Sequence, residues 1–183
     1  MKRQLQMAGL LLFVLGSTAA QAFNDQRQAF LVGLGIGYHG SELEYGNAVD
    51  SASVSGVATS VRIGFGLDNQ TILYYFSDGN WYNRAGDSWF SGINGLGAAW
   101  YLSPGPRSPY LHYGYGYGYH SLPRETSNNS KFGSGYTLGV GYEFRRHVSV
   151  EASYLRTNLW DASDGPHPAR TSSWRLMLNY LFY

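Results

Sequence analysis

The sequence predicts an all-β chain of eight antiparallel strands that run up and down and close on themselves. Three observations predict it. Eight segments alternate large apolar residues with small or polar ones at a period of two, which is how a strand distributes side chains between its faces. The connections between these segments alternate short and long. The ring-bearing faces carry no charge until one rim, whereas the opposite faces are mostly glycine and serine and hold the few strand charges.

The first segment, about Gln28–His39, sets Phe30, Val32, Leu34, Ile36 and Tyr38 against Leu31, Gly33, Gly35, Gly37 and His39. The second, about Val57–Leu67, sets Val57, Thr59, Val61, Ile63 and Phe65 against Ala58, Ser60, Arg62, Gly64 and Gly66. The third, about Thr71–Phe76, is apolar on both faces, so its register is open. The fourth, about Ser88–Leu102, is the weakest, with Leu96, Ala98, Trp100 and Leu102 on one face. The fifth is a tyrosine ladder over residues 110–120: Leu111, Tyr113, Tyr115, Tyr117 and Tyr119 alternate with His112, Gly114, Gly116, Gly118 and His120. The sixth, Tyr136–Phe144, carries Glu143 on its small-residue face, and the seventh, Val148–Arg156, carries Glu151 on its own. The eighth, Ser172–Tyr183, sets Trp174, Leu176, Leu178, Tyr180 and Phe182 against Arg175, Met177 and Asn179, with Tyr183 one step out of phase.

Segments two and three are joined by Asp68-Asn69-Gln70, four and five by residues 103–108, six and seven by Arg145-Arg146-His147. These are turn sequences. The other connections, 40–56, 77–87, 121–135 and 157–171, are longer and rich in Ser, Asn, Asp, Gly and Pro. All short turns therefore lie at one end. A soluble meander barrel would turn its charged face to water. Here the uncharged face is the one built of rings, which suits a strand with lipid on one side and a narrow polar interior on the other. In lipid every backbone group must pair internally, so the sheet must close.

The N-terminus has a basic start at Lys2 and Arg3, an apolar stretch from Met7 to Leu15, and Ala20-Gln21-Ala22 as a small-residue cleavage site. Residues 1–22 read as a secretory signal peptide, leaving 23–183 as one domain. That portion holds 11 basic and 12 acidic residues, too near neutrality for nucleic-acid binding by bulk charge. There is no cysteine, hence no disulfide framework. Sixteen tyrosines and 24 glycines with few Lys, Glu and Ala favour sheet over helix.

Eight strands enclose a lumen just wide enough for side chains to fill. Arg62, Glu143, Glu151 and Arg175 all fall on inward faces and are expected to form a lumen ion-pair network, with Arg175 coupled to Glu151 on the neighbouring strand. His39 and His120 face inward near the long-loop rim, close to Asp78 and Ser121 in this reading. A His–Ser–acid set can drive acyl transfer; polar filling of the lumen is the plainer alternative. Arg124, Arg156 and Arg170 lie at the long-loop end, where lipopolysaccharide phosphates would sit. Trp81, Trp89, Trp100, Tyr119, Tyr154 and Trp174 are expected in aromatic girdles. No residue spacing suits a calcium or histidine metal site, and no cofactor is expected.

Gly135–Phe144, Val148–Tyr154 and the closing Trp174–Tyr183 resemble the small eight-stranded outer-membrane barrels of Gram-negative bacteria, the OmpX, Ail and opacity-protein type. The resemblance covers about residues 28–183 and is carried by architecture rather than by catalytic motifs. It implies a non-enzymatic anchor whose loops serve adhesion, host-factor binding or envelope integrity. It further implies that the aromatic C-terminus is read by the barrel assembly machinery, and that the surroundings are outer-membrane lipid and lipopolysaccharide. The lipid A deacylases are similar in size and strand count but carry His-x-Ser on the penultimate strand. The equivalent stretch here, Ser153–Asn158, lacks that pair. OmpW-like passage of small apolar solutes is the other alternative, because Gly33, Gly35, Gly114, Gly116 and Gly118 leave lumen volume.

Overall fold

The computed structural model describes residues 26–45, 51–123, 130–160 and 167–183. The proposed leader and Arg124 lie outside the described residues. Eight strands form the fold: β1 Phe30–Glu44, β2 Ser51–Gly66, β3 Thr71–Arg84, β4 Asp87–Tyr101, β5 Pro109–Ser121, β6 Ser130–Arg145, β7 Val148–Leu159 and β8 Arg170–Phe182. Each pairs antiparallel with its sequence neighbour, and β1 pairs with β8, so the sheet closes into a barrel.

The register fixes the shape. A walk across paired residues from Val61 through Ser77, Asn94, Tyr117, Ser134, Asn158, Arg170 and Glu44 returns to β2 at Ser51, ten residues along the strand. A stagger of this size in eight strands tilts them by about 40° and leaves an interior that side chains fill.

The strands are longer than the alternation suggests. Expected loops 40–56 and 77–87 are largely strand. Arg84 pairs with Asp87, and a two-residue turn, Ala85-Gly86, joins them with both φ angles positive, 54° and 87°. That backbone is the one a tight hairpin needs, and glycine adopts it without strain. The apolar pattern stops at the membrane boundary while backbone pairing continues into water, so hydrophobic periodicity undercounts each strand. The short-turn end follows the expected spacing. Asp68 Oδ1 accepts hydrogen bonds from the backbone N–H groups of Gln70 and Thr71, both at 2.7 Å, and these hold its carboxyl below the usual range.

The outer face is a belt of exposed Leu, Val, Ile, Phe, Tyr and Trp; Leu96 is 73 % exposed and Trp174 71 %. A water-soluble protein does not expose apolar surface on this scale. The inner face holds Leu31, Ile72, Tyr74, Phe76, Ile93, Tyr101, Tyr110 and Leu155, all buried. The inward glycines are where these rings fit. A side chain at Gly114 would collide with Phe76, and one at Gly141 with Tyr110. Ile72, Tyr74 and Phe76 point in while Leu73 and Tyr75 point out, which settles the register left open for the third strand.

Candidate functional site: a layered polar lumen beneath a projecting rim

Polar side chains cross the lumen in layers. At the short-turn end, Arg27 enters from the segment before β1. Its Nη2 lies 3.0 Å from Glu143 Oε2, with both residues 2 % exposed. The same guanidinium donates to the carbonyls of Asn69 and Gly105, at 2.8 and 2.9 Å, tying two turns together. It also lies 3.8 Å over the Tyr101 ring, a cation–π contact. Tyr183 donates to Glu143 Oε1 at 3.0 Å. Burial pushes the Tyr183 hydroxyl up to about 12, so it remains a donor through the neutral range.

Tyr183 thus follows β8 as an inward residue in step with Arg175, Met177, Asn179 and Leu181. It is out of phase only with the lipid-facing ladder that ends at Phe182.

The next layer joins Arg62 to Glu151 through two hydrogen bonds, Nη1 to Oε2 at 2.8 Å and Nη2 to Oε1 at 2.7 Å. Tyr110 donates to Glu151 Oε2 at 2.9 Å, and His112 Nε2 lies 3.2 Å from Oε1. The fork-to-fork geometry and the extra partners on the carboxylate are what a buried ion pair requires to offset its desolvation.

The third layer differs from the sequence expectation. Arg175 does not pair with Glu151. Its Nη1 lies 2.7 Å from Asp78 Oδ2 across the lumen, and its Nη2 donates to the Thr59 carbonyl at 2.9 Å. Glu143, likewise, takes Arg27 rather than a member of the expected four. The reason is the length of β3. Read as ending at Phe76, it leaves Asp78 in a loop; continued to Arg84, it turns Asp78 inward opposite β8. Arg27 precedes the first alternating residue, so periodicity gave no signal for it. An unclaimed charge immediately before a strand was the one available clue.

Toward the loops, His39 and His120 separate instead of meeting. His39 Nδ1 lies 2.8 Å from Ser41 Oγ, and Ser41 Oγ lies 2.6 Å from Ser173 Oγ. The other His39 nitrogen faces the Trp81 carbonyl at 3.1 Å. His120 bonds to the Tyr82 hydroxyl at 2.5 Å and to His167 Nδ1 at 2.8 Å. Asp78, engaged by Arg175, is bonded to neither imidazole. His167, from the connection between β7 and β8, is buried over the lumen, edge-on to Trp89. Trp89 itself is a correction. It is buried and stacks on His120 at 5.0 Å, rather than joining a girdle. Its odd spacing from the outward-facing Trp100 places it on the inner face.

The remaining girdle residues face out. Trp81 packs on Phe90 at 4.1 Å and Tyr154 on Trp174 at 5.0 Å. Of the rim arginines, Arg170 pairs with Glu44 at 2.9 Å with both side chains well exposed, a contact of at most about 1 kcal/mol. Arg156 is half-buried on the outer face of β7, opposite Tyr136.

A closed barrel of eight strands, apolar outside and ion-paired within, defines the class of outer-membrane barrels. The chain belongs to the family described as the outer membrane protein beta-barrel domain, whose profile matches residues 8–182. Its place is the bacterial outer membrane. The fold is similar to Ail, the attachment invasion locus protein of Yersinia pestis, at 17 % identity and a TM-score of 0.54, over 84 % of this chain and 99 % of Ail. It is similar to Neisserial surface protein A at 14 % identity and a TM-score of 0.55, over 82 % of this chain and 96 % of that one. A further Ail structure, in complex with the heparin analogue sucrose octasulfate, matches at 18 % identity and a TM-score of 0.53, over 84 % of this chain and 99 % of that one. No curated protein matches the chain significantly.

Proposed function

We propose that this protein is a non-enzymatic surface barrel. Its membrane portion is an anchor, and its projecting hairpins and loops recognise a ligand in adhesion, host-factor binding or envelope integrity. The observation that carries this is the continuation of β1 to β4 beyond the apolar belt. Outward positions change from Ile36 and Tyr38 to Glu42 and Glu44 on β1, and from Ile63, Val61 and Val57 to Ser55, Ser53 and Ser51 on β2. A paired, polar, projecting sheet costs little to hold rigid and offers donors and acceptors on a fixed scaffold. The complex of Ail with a heparin analogue is a precedent for ligand binding by a barrel of this fold. Arg156 and Arg170 belong in this reading to the lipopolysaccharide boundary, with Arg124 beside them. The C-terminal strand serves the assembly machinery.

Replacing residues 40–56 and 77–87 with short turns tests the proposal. Adherence of expressing cells should fall to the background of empty cells while the barrel keeps its heat-dependent gel mobility. Undiminished adherence would overturn the proposal.

Two observations favour this reading over its rivals. The glycines that left room for a solute are occupied: Gly114 by Phe76, Gly118 by Thr157 and Gly35 by Asn179. The residual space beside Arg62, Tyr101 and Tyr110 is about 20 Å³, room for about one water. The acid expected to complete a His–Ser set is paired to Arg175 instead. An unchanged lipid A mass spectrum on overexpression is the result expected of a protein without acyl-transfer activity.

A further inference from the structure

The lipid-facing surface is not uniformly apolar. Between β3 and β6 a groove of about 730 Å³ runs down the outside of the barrel. Trp160 stands at its loop-side edge, and Tyr75 and Leu96 close it lower down. Tyr115 and Tyr117 form its walls, and its floor passes over the paired glycines Gly95 and Gly116. Both glycines fall on the inward parity of their strands, so the groove is set on the outer face, where the smaller Asn94 and Ser134 lie among Tyr75, Leu96, Tyr115, Tyr117 and Trp160. Trp160 lies edge-on to Tyr117 at 6.4 Å and overhangs the groove. The volume falls within the range of about 300–1,000 Å³ usual for sites that hold a small molecule.

Two polar side chains open into this groove, the Asn94 amide and the Ser134 hydroxyl. Both occupy outward register positions, one on each side of Tyr117. Among the described residues neither side chain has a hydrogen-bond partner. Asn94 lies four residues from Phe90, part of the loop-side girdle. Along a strand tilted by about 40° that is a depth of about 10 Å below the girdle. A bare amide at that depth in hydrocarbon costs several kcal/mol. The occupant must therefore be apolar along most of its length and carry a hydrogen-bonding group part-way down.

The groove lies on the loop side of the belt, which faces the outer leaflet. Arg156 sits on the same outer face, diagonal to Ser134 across the β6–β7 pairing. A phospholipid chain at this depth is bare hydrocarbon. The acyl chains of lipopolysaccharide carry hydroxyl, amide and ester groups below a phosphorylated sugar headgroup.

We propose that this groove holds one acyl chain of lipopolysaccharide. A polar group of that chain is hydrogen-bonded to Asn94 and Ser134, and a headgroup phosphate is paired to Arg156. The site makes the lipid a specific ligand of the barrel wall, distinct from the bulk solvent of the belt. It does not depend on ligand recognition by the loops, only on which face of the barrel meets lipid.

The test is native mass spectrometry of the full chain folded with an equimolar mixture of hexa-acylated lipid A and phosphatidylethanolamine. The unmodified protein should retain one lipid A, at least about tenfold in excess of phosphatidylethanolamine. The double substitution Asn94→Leu and Ser134→Leu should remove that preference while leaving heat-dependent gel mobility unchanged, because leucine on the lipid face favours the folded barrel. Arg156→Gln should reduce retention of bisphosphorylated lipid A but not of its dephosphorylated form. Competition on the unmodified protein gives an answer that needs no variant: lipid A lacking chain hydroxyls should displace the hydroxylated form poorly. Equal retention of the two lipids would overturn the proposal. So would undiminished lipid A binding by the double variant, or barrel dimers in place of a lipid adduct.

Discussion

The two ends of the lumen are closed by different chemistry. At the short-turn end a guanidinium, a carboxylate and a phenol, Arg27, Glu143 and Tyr183, join the segment before β1 to two turns and to the C-terminal residue. At the loop end, Tyr82, Trp89, His120 and His167 close the lumen with rings and imidazole hydrogen bonds, and the last of these comes from the connection between β7 and β8. The first closure is charged and draws on the segments that flank the strands, before β1 and after β8. The second depends on a residue that a single loop delivers. The difference predicts that the short-turn end resists opening more strongly than the loop end.

The largest effect should come from breaking the charged closure. Glu143→Leu leaves the Arg27 guanidinium buried and unpaired, and should cost about 3–5 kcal/mol in urea unfolding from lipid vesicles. Adding Arg27→Leu should recover part of that loss. A smaller effect should appear in the middle of the lumen. Arg175→Leu and Asp78→Leu should be strongly non-additive, with a coupling of about 2–3 kcal/mol, whereas Arg175→Leu and Glu151→Gln should add to within about 0.5 kcal/mol. The reverse result would restore the pairing expected from adjacent strands.

Breaking the neutral closure should cost less. His167→Ala should lower global stability by about 1 kcal/mol, the worth of one hydrogen bond. Its clearer sign should be faster tryptic cleavage after Arg170, with the rest of the barrel still protected.

The smallest effect depends on pH. The Tyr183 hydroxyl is raised from 10 to about 12 by burial, so its contribution is complete below pH 10 and is lost as pH rises toward 12. The stability difference between the unmodified chain and Tyr183→Phe should therefore shrink between pH 10 and 12. A difference constant over that window would show that the hydroxyl is not held as a donor to Glu143.

The membrane portion of the fold was legible because lipid demands an apolar outward face on every strand, while the inward face mixes small, polar and packed aromatic residues. Tyr113, Tyr115 and Tyr117 face out as that demand requires, and Arg62 and Glu151 face in. Legibility failed where that demand lapses. Ser77, Gly79 and Asn83 are outward residues with no apolar signature, so the upper part of β3 read as a loop, and Asp78 was lost to the lumen with it. Trp89 was misplaced by residue type although its parity was right. The pairing of Arg175 could not be read from strand order, because long side chains reach across a narrow lumen as easily as along its wall. The exterior groove is invisible to periodicity for a different reason. It arises where the smaller outward residues Asn94 and Ser134 flank Tyr117 across three paired strands, a coincidence of register rather than of sequence.

The central claim is that the ring-bearing face meets hydrocarbon and the ion-pair face is enclosed. The chain has no cysteine, so single cysteines can be introduced one at a time. Spin labels at Tyr115→Cys, Leu138→Cys and Leu176→Cys in reconstituted barrels should be relaxed by oxygen dissolved in the bilayer and shielded from a water-soluble nickel complex. Labels at Thr137→Cys and Ser153→Cys should be immobile and shielded from both. Nickel access at the first three positions, or oxygen access at the last two, would contradict the account.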